Sequence, residues 1–247
     1  FELLKSRLDK AYSCFDGTYN PQGPNHWLKA FLDSKADVFS QTYTIDDNPF
    51  LPEAFVENLK REYRGTVFYD RYILGRWALA EGLIYPMFGE SNIVDEEPPA
   101  GRYYISVDYG TLNPFSAGLW CVTKQGAVRI KEYYYSGRGT QKQLTDEEYY
   151  QAIRELADGY NVDYVVIDPS AASFITTVFR HNEFHVVKAN NDVMDGIRRT
   201  SVYLKSGELK IHRQCKDAIR EFGLYRWDEE STVDKVIKAD DHAMDDI

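Results

Sequence analysis

The stretch Arg102-Tyr103-Tyr104-Ile105-Ser106-Val107-Asp108 decides how the rest of the chain is read. It reads as a strand that ends on a carboxylate. A second run, Tyr164-Val165-Val166-Ile167, ends in the same way on Asp168. A carboxylate at the lip of a buried sheet is costly unless it is paired, hydrogen-bonded or bound to a metal. Far downstream, His242 and Asp245 lie three residues apart, a spacing that puts both side chains on one face of a helix. Three such groups drawn from distant parts of one chain indicate a site for a hard cation.

Working outward from the first strand, the pattern alternates strand and helix. Strands are expected over 116–123 and 127–135, joined at Lys124-Gln125-Gly126, a hairpin signal. A helix over 145–159 opens on Thr145 with Glu148 as its capping-box partner and stops at Gly159. A fourth strand ends on Asp168, and a helix follows over 170–182; Asp168-Pro169 also reads as a turn, with Pro169 at the first position of a helix. Strands over 184–188 and 209–212 and helices over 192–205 and 215–225 complete the series. Three antiparallel strands followed by helix, strand, helix and strand is the order of an α/β domain with a ribonuclease-H-like mixed sheet flanked by helices. In that order the first and fourth strands are neighbours, so Asp108 and Asp168 meet, and a C-terminal helix brings Asp245 across to them.

Composition narrows the function. The net charge of −10 over 247 residues argues against a generic nucleic-acid binder, which is usually basic. It leaves room for an enzyme that meets phosphate through bound cations and a few local Lys and Arg side chains. No apolar run approaches the ~20 residues of a membrane helix. The three cysteines, Cys14, Cys121 and Cys215, are isolated and form no CxxC, so neither zinc nor a disulfide framework is indicated and a reducing, intracellular compartment is expected. The chain starts at Phe1 and stops at Ile247 inside an acidic helical pattern, and reads as a piece of a longer polypeptide.

Upstream the character changes. Residues 86–101 are rich in Pro, Gly and acid and read as a linker. Before them come a Gly/Pro/Asn loop over 17–25, helices around 27–33 and 52–64 with Asp47-Asn48-Pro49 as the turn before the second, and a further helix over 69–80. These residues suggest the trailing part of an upstream domain, so the chain is divided into 1–90 and 91–247.

Four stretches then carry a resemblance: Val107-Asp108-Tyr109-Gly110, Val166-Ile167-Asp168-Pro169, the run from Asn190 to Arg198, and Asp241-His242-Ala243-Met244-Asp245. They resemble the nuclease domain of tailed-bacteriophage terminase large subunits over roughly residues 100–247. Asn20-Pro21, Gly23 to Trp27, Asp47-Asn48-Pro49, Gly75-Arg76-Trp77 and Glu81-Gly82 resemble the back end of the motor domain of the same proteins. The resemblance implies an endonuclease that cuts concatemeric double-stranded viral DNA by two-metal-ion hydrolysis. It implies the small terminase subunit and the portal protein as partners, self-association in the assembled motor, and action in the host cytoplasm, transiently at the procapsid portal. No GxxxxGK[ST] phosphate loop occurs, so ATP hydrolysis is not expected of these residues alone.

Phosphodiester hydrolysis requires charge neutralisation, a nucleophile and stabilisation of the leaving 3′-oxygen, and two divalent ions ~4 Å apart supply all three. Mg²⁺ and Mn²⁺ prefer oxygen donors. Asp108 is the candidate bridging ligand, with Asp168 on one ion and Asp245 on the other. His242 ligates Mn²⁺, orients the attacking water or shuttles a proton. Taken singly, Asp108 and Asp168 read as turn residues, and His242 and Asp245 as the end of a solvated acidic tail with Asp240, Asp241 and Asp246. Their combination, in order and in one fold, favours the site. Lys188, Arg198 and Arg199 are candidates for DNA-backbone contacts, with surface ion pairing as the alternative. Ser170 and Ser173 at a helix start are a resting place for phosphate or simple caps. Asp192 at the start of the next helix reads as its N-cap. Tyr133-Tyr134-Tyr135 with Gly137-Arg138-Gly139 is a DNA-facing loop or a strand rim.

Two other functions fit parts of the pattern. Asp108-Tyr109-Gly110-Thr111 resembles the first phosphate loop of actin-like kinases and ATPases, but the segment after Ile167 lacks the glycines of a second. A Holliday-junction-resolvase-like nuclease would share the chemistry, and a gated interaction module of the packaging motor would share the fold.

Overall fold

The computed structural model describes residues 10–24, 26–34, 38–110, 113–136, 143–231 and 233–247. The chain divides into two compact units, Phe1–Leu79 and Ala80–Ile247. The first unit carries helices α1 (Trp27–Asp33) and α2 (Glu53–Tyr63). His26 caps α1, its Nδ1 accepting from the Leu28 N–H at 3.3 Å. The helix expected over 69–80 is a single wide turn, Tyr69–Ile73. Gly75, at φ +63°, turns the backbone into the left-handed region, where a right-handed helix cannot continue. The buried Arg71 folds onto the extended segment beyond, its Nε donating to the Ala78 carbonyl at 3.1 Å.

The second unit is built on a seven-stranded mixed sheet. Its strands are β1 (Ile93–Val94), β2 (Arg102–Asp108), β3 (Phe115–Thr123), β4 (Gly126–Tyr135), β5 (Val162–Ile167), β6 (Val186–Lys188) and β7 (Leu209–His212). Across the sheet the order is β1-β7-β4-β3-β2-β5-β6. β2, β3 and β4 form an antiparallel meander, and β5 lies parallel to β2 in the register Val107↔Ile167. This is the expected ribonuclease-H-like core, extended beyond β4 by β7 and β1. Residues 86–101, expected as a linker, supply that outer edge. Ile93 pairs with Ile211, and the buried Asn92 amide donates to the Leu204 carbonyl at 2.8 Å. An acidic, proline-bearing composition signalled exposure there, but two apolar residues inside it suffice to add a strand.

Among the described residues, five helices flank the sheet: α3 (Asp146–Ala157), α4 (Ala172–His181), α5 (Val193–Ser206), α6 (Lys216–Phe222) and α7 (His242–Asp245). On one face, Ile105, Val107, Leu119, Val165 and Ile167 pack against Tyr149 and Ile153 of α3 and Phe174 and Val178 of α4. Each such side chain contributes roughly 1.5–3 kcal/mol by leaving water. Against the opposite face, α7 packs on β2 and β3, α6 on β4, and α5 on β7.

Local chemistry sets the helix ends. Thr145 Oγ1 accepts from the Glu148 N–H at 3.2 Å while Glu148 Oε2 accepts from the Thr145 N–H at 2.8 Å, the expected capping box of α3. Asp192 caps α5 by accepting from the Asp195 N–H at 3.0 Å. α4 begins two residues later than expected, with Pro169 outside it. The Asp168 carboxylate accepts from the Ser170 N–H at 2.6 Å and holds a turn there instead. Among the described residues, no helix is long and apolar enough to cross a membrane.

Candidate functional site

β2 and β5 run parallel in register, so Asp108 at the end of β2 and Asp168 just past β5 leave the sheet side by side. α7 arrives from the C-terminus and lays His242 against the first of them, Nδ1 standing 2.9 Å from Asp108 Oδ2. Three segments distant in sequence therefore meet at one end of the sheet. Asp168 accepts from Ser170 N–H through Oδ1, and through Oδ2 from the Asn191 amide at 2.8 Å. Asp245, one turn along α7 from His242, pairs with Lys238 Nζ at 2.7 Å. The same ammonium lies 3.2 Å from Asp241 Oδ2.

Charge is crowded here. Burial pushes the Asp108 carboxyl above its ordinary range; the His242 hydrogen bond and charge pull the other way, and Asp246 and Asp241 push it further up. Asp245 is raised by burial as well, with Lys238 opposing and Asp241 and Asp108 adding. Burial opposes the charge on His242, yet its hydrogen bond to Asp108 and the surrounding carboxylates hold its proton above the usual histidine range. Carboxylates raised in this way are short of positive charge. Asp241 Oδ2 is buried, with the Lys238 ammonium at 3.2 Å as its counter-charge.

Among the described residues, no three His, Cys, Asp or Glu side chains stand close enough together to form a finished metal cage. The chemistry of the donors nevertheless fits hard divalent cations. They are carboxylate oxygens, two of them on adjacent strand ends, and the buried ones are under-compensated.

The secondary candidates separate. Lys188, at the end of β6 and in register with Ile167, is exposed beside the Asp168 corner. Arg198 and Arg199 are both paired with Asp195, at 2.5 and 2.7 Å, which is the surface ion-pair alternative. Tyr133, Tyr134 and Tyr135 lie within β4, so the rim reading holds for them; residues 137–139 fall outside the described residues. The acidic tail is not uniformly solvated: Asp241 and Asp246 are buried.

Sequence reasoning missed what holds α7. The Asp246 carboxylate, fully buried, accepts from Arg129 Nη2 at 3.0 Å and Ser106 Oγ at 2.8 Å, and is bonded also by Arg129 Nη1 and Ser116 Oγ. Glu221, at the end of α6, accepts from the Ala243 N–H at 2.6 Å and the Tyr134 hydroxyl at 2.6 Å. An Arg in the middle of the β4 run was the available signal, since a buried guanidinium demands a buried carboxylate.

A family model described as the terminase RNaseH-like domain matches residues 105–246, and one for the N-terminal part of the T4-like terminase large subunit matches residues 10–91. Among solved structures, the large terminase of a thermophilic bacteriophage in complex with ATP-gamma-S is 38% identical with a TM-score of 0.93. That match covers 99% of this chain and 64% of the phage chain, so the chain spans a little under two thirds of that relative's length. The P22 large terminase nuclease domain shares the fold at 17% identity and a TM-score of 0.54, over 67% of this chain and 88% of its own. The large terminase nuclease of another thermophilic phage, G20c, with bound cobalt does so at 9% identity and a TM-score of 0.50, over 68% and 95%. No curated protein matches the chain. A sheet of this order, a family match over most of its length and a near-complete overlay on a large terminase agree: the chain belongs to the terminase large-subunit family and carries its RNaseH-like domain.

Proposed function

We propose that this chain is the nuclease part of a viral DNA-packaging terminase, an endonuclease that cuts concatemeric double-stranded DNA with divalent metal ions. Residues 91–247 form the nuclease domain, and residues 1–90 the trailing part of the motor domain. The observation that carries the reading is the meeting of His242 with Asp108, beside Asp168, from three distant segments of a chain in this family. The cobalt bound in the G20c nuclease supports a divalent site in this fold.

Asp108, Asp168 and Asp245 would hold two Mg²⁺ or Mn²⁺ ions, which would supply positive charge against the phosphodiester and so lower the barrier to its hydrolysis. The remaining work falls to the chain. His242 fixes the Asp108 carboxylate through Nδ1, which leaves Nε2 as the atom that exchanges a proton with water or the leaving oxygen. Asn191 and the Ser170 N–H keep Asp168 aimed from its strand end. Lys188 meets a DNA phosphate beside Asp168, and Arg198 and Arg199 add weaker backbone contacts. The small terminase subunit, the portal protein and other copies of the chain are the proposed partners, in the host cytoplasm and at the procapsid portal. These 247 residues contain no GxxxxGK[ST] loop, and ATP hydrolysis is not part of the proposed activity.

The test is cleavage of supercoiled plasmid in Mn²⁺, Mg²⁺ or EDTA, beside Asp108→Ala and Asp168→Ala. Metal-dependent nicking and linearisation, absent in EDTA and in both variants, is the expected result. Equal cleavage by the variants and the parent would reject the assignment.

A further inference from the structure

We infer that Glu221 and the Arg129–Asp246 pair are positioning residues that clamp the two ends of the four-residue helix α7 and thereby fix His242 against Asp108. The inference rests on the reading of Asp108 and His242 as part of the nuclease site. A helix of one turn has no hydrogen-bond ladder of its own to speak of, and its orientation must be imposed from outside. Glu221 does so at the first turn, where its carboxylate takes the Ala243 N–H, next in sequence to His242. Asp246 does so at the last, where side chains of β2, β3 and β4 hold it.

The two clamps are linked into a closed circuit. One link is a charge contact without a hydrogen bond: Arg129 Nε, buried and without a hydrogen-bond partner, lies 3.8 Å from Glu132 Oε2. Glu132 in turn accepts from the Asp217 and Ala218 N–H groups at 2.8 and 3.1 Å, at the start of α6. Glu221 ends the same helix. The path thus runs from Arg129 through Glu132 and α6 to Glu221, then through α7 to Asp246 and back to Arg129. The Arg129, Asp246 and Glu221 side chains are all fully buried. Burial of this much charge is seldom favourable for stability alone, and its best-attested use is to impose one arrangement over others. Gly118 makes the circuit fit, because a Cβ there would stand 2.1 Å from Arg129 Nη1.

The geometry separates position from fold. In Glu221→Gln the amide oxygen can accept from Ala243 while the NH₂ donates to the Tyr134 hydroxyl, so both of these contacts survive and only the longer one from Arg220 Nη2, at 3.3 Å, is lost. Glu221→Leu keeps volume and loses both. The paired change Arg129→Met with Asp246→Leu removes the guanidinium together with the carboxylate it bonds, and leaves Glu132 to its two backbone donors at the start of α6. The experiment is the ¹H–¹⁵N spectrum of histidine rings in the metal-free chain, with the His242 Nδ1–H signal assigned by its loss in His242→Asn. Plasmid cleavage and circular dichroism are measured alongside.

The parent and Glu221→Gln are expected to show the hydrogen-bonded Nδ1–H signal. Glu221→Leu and the paired variant are expected to lose it while remaining folded. Their cleavage should fall tenfold or more with KM for DNA changed less than about twofold, since misplacement by about 1 Å costs up to ~100-fold. Persistence of the signal in both disrupted variants overturns the inference, as does loss of the signal in Glu221→Gln. If the parent does not cleave yet the signal follows the clamps, the nuclease reading fails and the positioning stands.

Discussion

At the residue scale the site is a compromise between charge and burial. Asp108 and Asp245 are both raised by burial, and Asp241 adds to the cost of each through its charge. Asp108→Asn should therefore leave the melting temperature equal to or above that of the parent, while lowering metal-dependent cleavage at least ~100-fold, as for loss of a group acting directly on the transition state. Calorimetric melting beside the plasmid assay checks both halves; a variant that melts earlier and still cuts would contradict the account. The convergence of the Asp108 and Asp168 strand ends, and the placing of His242 and Asp245 on one short helix, was legible in the sequence because a strand that ends on a carboxylate is anomalous, and an H-x-x-D spacing shares one helical face. Asp246 was not. It sits in a run of acids that looks solvated, and its partner Arg129 lies 117 residues upstream, where no local pattern connects the two.

At the scale of elements, local rules carried far. The capping box at Thr145, the Asp192 cap and the glycine stop at Gly159 sit where the helix signals put them. Thr145→Ala should cost about 1 kcal/mol through loss of the cap, read as a lower urea midpoint with an unchanged slope. The failures came where tertiary contacts override propensity: the segment from Tyr69 onward gives up its helix to Gly75 and Arg71, and residues 86–101 are drawn into the sheet edge by Ile93 and Val94. Gly118 belongs to this scale too. Gly118→Ala presses a methyl group on a guanidinium with nowhere to retreat, and is expected to destabilise the second unit by ~1–3 kcal/mol, the usual cost of overpacking. Its Val and Ser counterparts should be worse and similar, respectively. An unchanged midpoint for Gly118→Ala would show that Arg129 is free to move.

For the whole molecule, the 19 tyrosines give a pH signature. Burial raises the Tyr85 and Tyr225 hydroxyls well above the ordinary value near 10, and raises Tyr149 and Tyr160 to about 12, the Glu97 contact adding to the last. Above pH ~10 the unfolded chain releases these protons and the folded chain keeps them, so the folded state binds more protons and stability falls as pH rises. The melting temperature should decline steadily from about pH 10 to 12, with the absorbance of the buried Tyr85, Tyr149 and Tyr225 tyrosinates appearing only as the chain unfolds; titration of all tyrosines in the folded state would contradict this. The proposed divalent-metal site draws Asp108, Asp168 and Asp245 from three distant segments of the chain. The most direct test is an anomalous difference map from crystals soaked in Mn²⁺. Manganese peaks are expected ~2.1 Å from carboxylate oxygens of Asp108, Asp168 and Asp245; a map with no peak among those three residues, in crystals whose Asp108 and His242 remain in contact, would rule the metal site out.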